Sequence, residues 1–378
     1  MTKTKKLLCE LIALPSVNPA FLPAGNPHAG EQRVADFLAA IAARAGLEVE
    51  LQHVLPKRSN LLVRLPVRGQ FQQRVLLAPH LDTIGGAEVP GLLFSPCARK
   101  DRLFGRGACD TKGSVAAMLT ALCELAEFGK RPTHTEIVFA GLIDEESGQA
   151  GSRALATSGF KASLAIVGEP TRLQLVTAHK GALWLRLETR GKAAHGARPE
   201  LGRNAVHAMA RLVDLLETKY ARRLRQTRHP LLGHATINVG SIQGGKQPNI
   251  VPDECSILID RRTLPGESNS KVIRELKELF RENRMPAHIS PIQTGLCGPV
   301  QTSPRQPLVQ EFFRTIGQKE AVGVDYFSDA GILAAAGIPS VLFGPGDIAQ
   351  AHTPDEWVSL GQVERSKDML VQFLRRLS

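Results

Sequence analysis

Thiols and aromatic rings are scarce in this chain, and no apolar run is long. The 378 residues include six cysteines (Cys9, Cys97, Cys109, Cys123, Cys255 and Cys297) with no CxxC pair and no regular spacing. That excludes a disulfide framework and a cysteine-built zinc site, and it points to reduced thiols in a cytoplasm. Aromatic residues make up 5% of the chain, too few to interleave with basic residues as a base-stacking surface requires. The formal charge of +11 is scattered, and its densest run, YARRLRQTRH at 220–229, reads as a solvated helix end or loop. A nucleic-acid-binding protein is therefore disfavoured, and attraction of an anionic small substrate is the gentler use of the charge. No apolar stretch reaches the roughly 18 residues of a membrane span. The opening MTKTKKLLCELIALPSVNPA has Glu10 inside its apolar part and no clean cleavage site, so it reads as an amphipathic helix, not a signal peptide. Internal repeats and low-complexity tracts are missing too.

What is present is the composition of a folded protein, 43% hydrophobic and 22% charged, at a length that suits two domains. Residues 31–45 repeat apolar positions at helical spacing and stop at Gly46. Strand patterns at LEVELQHV, SNLLVRLP, RVLLAP, TEIVFAGLI and ASLAIVG alternate with helices, one of them over 113–128. That alternation implies a largely parallel sheet flanked by helices. After about residue 178 the order becomes strand, helix (201–218), two strands, helix (269–284), strand: a ferredoxin-like α+β unit. Beyond 297 the α/β pattern resumes. The expected architecture is an α/β catalytic domain over 1–178 and 297–378, interrupted by a lid over 179–296.

Ligand-type residues collect where the strands of the α/β domain should end. His80 and Asp82 follow one strand, Asp144, Glu145 and Glu146 the next, Glu169 a third, and His352 a late one; Asp110 stands just before the helix at Gly113. Open α/β sheets bind ligands outside the carboxyl ends of their strands. Two histidines with three carboxylates and no thiolate suit zinc, with cobalt or manganese able to substitute. A single catalytic zinc takes three protein ligands, so this set is too large unless two metals share a bridging carboxylate. Asp110 is the natural bridge, because a helix N-terminus can fix its orientation. Of the adjacent Glu145 and Glu146, one should ligate and the other serve as general base. Asp82, two residues after His80, is placed to accept the other ring N–H of that histidine. Gly85 and Gly86 read as a turn leading away.

These stretches, with GRGACDTKGSVAAML, DEESGQAGS, VGEPT, GKAAHGARPELGRNAV and GGKQPNIVPDECSILIDRR, resemble the dizinc aminoacylase and carboxypeptidase family. That family contains acetylornithine deacetylase, succinyl-diaminopimelate desuccinylase, aminoacylase 1 and glutamate carboxypeptidase. The resemblance runs in order from about residue 75 to 357, and FGPGDIAQAHTPDEW looks most like acetylornithine deacetylase-type members. It implies His80 and Glu169 on one zinc, Glu146 and His352 on the other, and Asp110 bridging. Glu145 becomes the general base that activates the zinc-bridging water, and Asp82 the orienter of His80. Glu169, where aminopeptidase members often have Asp, favours an N-acyl amino acid as substrate.

In the lid, the resemblance implies that His195 reaches the partner subunit's active site and stabilises the oxyanion, making a homodimer through the lid mechanistically required. Asn249 and Arg262 should meet the substrate, Arg262 through its carboxylate, and Gly344 and Gly346 should let the backbone approach that group. Strand alternation puts Arg261 and Arg262 on opposite faces, and only the family pattern chooses between them. The expectation is a cytoplasmic, homodimeric, two-zinc amide hydrolase of acetylornithine deacetylase type, acting on a small N-acylated amino acid or dipeptide, with no membrane or nucleic-acid partner. The alternatives are a succinyl-diaminopimelate-type deacylase and a glutamate-carboxypeptidase-like peptidase.

Overall fold

A computed structural model describes residues 2–85, 93–127 and 131–377. Gly86 of the expected turn and residue 128 of one expected helix lie outside them. Among the described residues no helix is long and apolar enough to cross a membrane. The chain divides into two compact units, Met1–Thr177 with Thr302–Val322 and Ser328–Ser378, and Ala178–Gln301 with Gly323–Phe327.

The first unit begins with helices α1 (Lys3–Ala13) and α2 (Gln32–Arg44). Each buries one apolar stripe: Leu7, Leu8, Leu11 and Ile12 in α1, and Val34, Ala35, Leu38 and Ala42 in α2. Gly46 follows α2 in the left-handed region (φ 73°), where the missing Cβ removes the steric penalty. Strands β1 (Glu48–Leu55), β2 (Arg58–Leu65) and β3 (Gln73–Ala78) come next, then the short pair β4 (Cys97–Arg99) and β5 (Arg102–Phe104). Helix α3 (Gly113–Glu127), strand β6 (Thr135–Gly141), helix α4 (Ala150–Thr157) and strands β7 (Leu164–Val167) and β8 (Val176–His179) complete this stretch.

In the second unit β9 (Gly181–Arg190), α5 (Ala205–Leu215), α6 (Ala221–Leu224), β10 (Thr236–Gly244), β11 (Glu254–Thr263), α7 (Asn269–Glu282) and β12 (His288–Cys297) follow one another. Its sheet is ordered β10-β11-β9-β12 with every pair antiparallel, the expected ferredoxin-like arrangement. Strand β9 alternates between buried and half-buried positions, as a one-sided sheet demands. The first helix differs from expectation. It starts at Ala205, after Asn204 caps the His207 N–H, and passes through a wide turn, Leu216–Tyr220, to end only at Leu224. Tyr220 and Leu224 are buried and draw the helix onward, while Arg222, Arg223, Arg225 and Arg228 are exposed.

After β13 (Val300–Gln301) the chain runs through α8 (Pro307–Ile316), β14 (Val322–Val324), α9 (Ala330–Ala335), β15 (Ser340–Leu342), β16 (Trp357–Ser359) and α10 (Leu360–Arg375). The main sheet of the first unit has the order β1-β2-β6-β3-β7-β15. Its strands β6, β3, β7 and β15 are mutually parallel, and the β1–β2 hairpin joins antiparallel at one edge. Val75, Leu76, Leu77 and Ala78 of β3 are all buried because helices cover both faces. Phe312 stacks on Phe373 with centroids 4.5 Å apart and meets Phe343 at 4.9 Å, tying α8, α10 and the end of β15 into one core. Such ring pairs add about 0.5–1.5 kcal/mol beyond area burial.

Candidate metal centre

Parallel alignment brings the carboxyl ends of β3, β6, β7 and β15 to one edge, and the ladder persists beyond the strands. The Leu81 N–H donates to the Leu142 carbonyl at 2.7 Å and the Leu142 N–H to that of Pro79 at 2.9 Å. The Gly168 N–H reaches Ala78 O at 3.2 Å and the Phe343 N–H reaches Val167 O at 3.0 Å. His80, the Asp144–Glu146 loop and Glu169 are therefore set by backbone registry. Asp110 arrives on a kinked turn, Ala108–Lys112, where its backbone departs from helical geometry (φ −121°, ψ 90°) before α3 begins.

Two donor groups result. One ligand atom each from His80, Asp110 and Glu169 lies within 4.8 Å of the others, and the same holds for Asp110, Glu146 and His352. Asp110 belongs to both. Its Oδ1 is 3.0 Å from His80 Nε2 and its Oδ2 is 3.3 Å from His352 Nε2. His352 Nε2 also lies 3.1 Å from Glu146 Oε2. Glu145 is half-buried beside these residues but is a member of neither group.

The charge balance shows what such a centre needs. Burial pushes the Glu145 and Glu169 carboxyls well above the usual range, with repulsion from Glu169 and Asp329 adding to it at Glu145 and from Asp110 and Asp329 at Glu169, and burial with the charge of Asp110 raises Glu146 to about 7. Asp110 is equally buried, yet hydrogen bonds from His352 and His80 hold it low. Against its own burial, His80 is held well above the ordinary imidazole value by Asp110 and Asp82. Hydrogen bonds to Asp110 and Glu146 carry His352 to about 10. Glu169 Oε1 is buried without a hydrogen-bond partner, an arrangement that folded proteins seldom tolerate without a ligand. The residues thus fit a pair of divalent cations: an N/O donor set, one shared carboxylate, an orphaned acceptor and more buried negative charge than two imidazoles offset.

Asp82 does more than face His80. His80 Nδ1 lies 3.0 Å from the Asp82 backbone carbonyl and 3.5 Å from its carboxylate, so the carbonyl is the nearer acceptor. The carboxylate instead accepts the Glu145 and Glu146 N–H groups, each at 3.1 Å, and the Asn18 amide at 2.8 Å. A buried network outside the sequence expectation stands behind it. Asn18 also donates to Asp144 (3.0 Å), Arg58 bonds Glu31 (2.6 and 2.7 Å) and Asp144 (3.0 Å), and Glu31 accepts the Asp144 N–H at 3.1 Å. These bonds hold Asp144 in a left-handed conformation (φ 69°) that is costly for a residue other than glycine. Farther along the loop, Asn60 bonds Ile143 N and Gly151 O, and Asp329 accepts from Ser152 Oγ at 2.5 Å. Glu356 is a further buried acid that the sequence reading does not single out. Its only sequence signal is its place four residues after His352.

Gly344 and Gly346 both sit against the Glu169 segment. A Cβ on Gly344 would meet Glu169 O at 2.6 Å, and one on Gly346, at φ 91°, would meet Cys109 Sγ at 2.6 Å. Their N–H groups are engaged within the protein, with Thr171 Oγ1 (3.1 Å) and Gln362 Oε1 (2.9 Å). Close packing is thus one reason that both positions are glycine.

In the second unit His195 is exposed and bridges antiparallel to Ile250, with the Gly196 N–H on Asn249 O at 2.7 Å, so His195 and Asn249 are neighbours. His195 Nδ1 accepts the Ala197 N–H at 3.1 Å, which leaves Nε2 as the outward donor of the neutral ring. Arg261 is 0% exposed and committed to Tyr220, Glu267 and the Arg262 carbonyl. Arg262, on the other face, pairs with Asp260 at 3.0 Å and lies over the Phe327 ring at 5.3 Å.

The model of peptidase family M20/M25/M40 matches residues 76–376. The chain is 32% identical over 354 residues to an acetylornithine deacetylase of Myxococcus xanthus, covering 89% of this chain and 90% of that one. It is 30% identical over 384 residues to the acetylornithine deacetylase of Edwardsiella ictaluri (strain 93-146), covering 96% and 95%. Among solved structures, an M20 family metallo-carboxypeptidase of Sulfolobus solfataricus superposes with a TM-score of 0.80 at 19% identity, covering 99% of each chain. A Bacillus subtilis protein described as a dinuclear metal binding peptidase of the M20 family gives 0.70 at 14%, covering 98% of this chain and 96% of that one. At those identities the two structures speak for the fold.

Proposed function

This chain belongs to peptidase family M20/M25/M40, and from that premise we propose that it is a metal-dependent amide hydrolase that removes an N-acyl group from an amino acid. The relatives named acetylornithine deacetylase make N-acetylated ornithine-type amino acids the first substrate class to test. One observation carries the reading: two three-residue donor groups that share Asp110. His80 and Glu169 would hold one cation, Glu146 and His352 the other, and Asp110 both, with zinc the natural choice and cobalt or manganese able to replace it. Bound there, the pair supplies Lewis acidity toward the acyl carbonyl and acidifies water near neutral pH.

The chain's own residues would do the rest. Glu145, in neither donor group and anchored through its N–H to Asp82, takes a proton from the attacking water and returns it to the leaving amine. His195 donates from Nε2 to the developing oxyanion of a partner subunit's substrate, which makes the working form a homodimer through the residues around 179–296. Asn249 and Arg262 meet the substrate, Arg262 through a fork to its carboxylate, a choice that the full burial of Arg261 supports. We place the enzyme in the cytoplasm on its cysteine usage.

The test is a panel of N-acetyl, N-succinyl and N-formyl amino acids with dipeptides, assayed with zinc or cobalt before and after chelation. N-Acetyl amino acids should be preferred and every activity should vanish with the metal. Preference for succinyl or dipeptide substrates would replace the substrate class, and activity that survives complete metal removal would overturn the reading.

A further inference from the structure

Two buried side chains with no part in the proposed chemistry tie the Asp110 turn to the His352 loop. Glu356 is 2% exposed, and its carboxylate accepts the N–H groups of Gly107 (2.9 Å), Cys109 (2.9 Å) and Asp110 (3.0 Å) together with Arg106 Nη1 (2.9 Å). Arg106 is 3% exposed, and the same Nη1 donates to the carbonyl of Thr353, the residue after His352, at 3.2 Å. The join continues in the backbone. The Gly105 N–H bonds Glu356 O at 3.0 Å, and β16 pairs antiparallel with β5, Trp357 opposite Phe104. Residues 102–110 and 353–359 are thereby zipped together, with Asp110 at the end of one segment and His352 immediately before the other.

The other ligands are held differently. His80 and Glu169 leave parallel strands whose ladder continues into their loops, and Glu146 hangs from Asp82. His352 has a side chain that is 51% exposed and a left-handed backbone (φ 63°); its loop is held by local turn bonds, Gln350 N–H on Asp347 O at 2.8 Å and Thr353 Oγ1 on Gln350 O at 2.8 Å, in place of the strand ladder that carries His80. We propose that Arg106 and Glu356 are positioning residues for the second donor group. Their clamp holds Asp110 and His352 at cation-binding separation, so its loss weakens binding by Asp110–Glu146–His352 ahead of binding by His80–Asp110–Glu169. This rests on the two-cation reading above.

The substitution that probes it is Glu356→Gln, which keeps the volume but replaces one accepting oxygen with a donor, so that an N–H of the Asp110 turn or Arg106 loses its partner. Arg106→Lys is milder. It keeps the charge but gives up the planar guanidinium that serves both Thr353 O and Glu356, and it carries the test should Glu356→Gln not fold. The full-length chain, stripped by chelation, is titrated with Co2+ by calorimetry and visible absorption, and the event lost in His352→Ala is assigned to the second group. Glu356→Gln should weaken that event roughly 10- to 100-fold, the range for removing groups that orient metal ligands. Arg106→Lys should shift the same event by less, and the other event, which shares Asp110 but keeps His80 and Glu169 on the sheet, should weaken several-fold less than the first. Equal weakening of both events, or wild-type binding in both variants, would overturn the clamp while leaving the two-cation reading intact. A wild-type chain that takes up fewer than two cations would overturn both.

Discussion

Asp82→Asn separates two jobs that one carboxylate performs. In the structure Oδ2 accepts from Asn18 and the Glu146 N–H, and Oδ1 accepts from the Glu145 N–H, with the His80 ring at 3.5 Å. An asparagine keeps one accepting oxygen, and the position with two short bonds, that of Oδ2, is where it does most good. Its amide nitrogen then confronts the Glu145 N–H, leaving a buried donor unsatisfied at a cost of about 1–3 kcal/mol and pushing away the segment that carries the proposed base. His80 is less affected, because its Nδ1 is nearer the Asp82 backbone carbonyl, at 3.0 Å, which the substitution leaves in place. Misplacing a catalytic group by about 1 Å costs roughly 100-fold. The expected outcome is a kcat lower by about that factor with little change in KM, and metal affinity lowered less than the roughly tenfold that loss of a ligand-orienting group would bring. Steady-state kinetics on an N-acetyl amino acid at saturating zinc, paired with metal titration of the stripped protein, measures both. A variant with wild-type kcat at saturating zinc but strongly weakened metal binding would refute the reasoning, because Asp82 would then act on His80 and not on the Glu145 loop.

Three further predictions follow from the same residues and from the second unit. Glu145→Ala should lose about 10²- to 10⁴-fold in kcat while binding two cations as before; normal turnover would remove Glu145 from the chemistry. Glu31→Gln breaks a buried pair with Arg58 and should cost about 3–5 kcal/mol of stability, read as a lower urea midpoint, and an unchanged midpoint would show that the network is solvated. His179 is fully buried, and burial lowers its pKa to about 4, below the ordinary 6.5. The unfolded chain therefore takes up this proton first, so the His179 contribution is fully present above about pH 6.5 and is lost as pH falls toward 4, roughly 3 kcal/mol in all. Denaturation midpoints of His179→Gln should accordingly fall less than those of the wild type between pH 7 and 4.5; parallel profiles would contradict this.

Much of the donor set is legible in the chain because two patterns coincide. Short buried apolar runs announce parallel strands, and a His or an acid stands just past each, so His80, Glu146, Glu169 and His352 can be placed on one edge before any coordinate is known. The residues that escape notice do their work by satisfying polar groups, backbone N–H or carboxylate, far away in the chain. Glu356 serves Gly107 across 249 positions, and Asp144 depends on Arg58 across 86. No periodicity marks such a partner, and an acid that accepts several amides looks like a solvated one. Helix α5 shows the same limit on a smaller scale. Its expected start at 201 follows apolar spacing, but the chain keeps a short 3₁₀ turn at Pro199–Leu201 and begins the helix only where Asn204 can cap it. The glycines at 344 and 346 have a packing reason that appears only once the Glu169 backbone is seen beside them.

The central claim, an amide hydrolase that works through two cations sharing Asp110, is tested most directly by returning zinc stepwise to the chelator-stripped chain while following deacylation of an N-acetyl amino acid. The account predicts no turnover in the stripped protein, and activity that rises with bound zinc and levels off at two per chain. Turnover in protein with no measurable metal would contradict it, as would full activity with zinc bound anywhere but at these residues, seen as an Asp110→Ala variant that keeps wild-type rates.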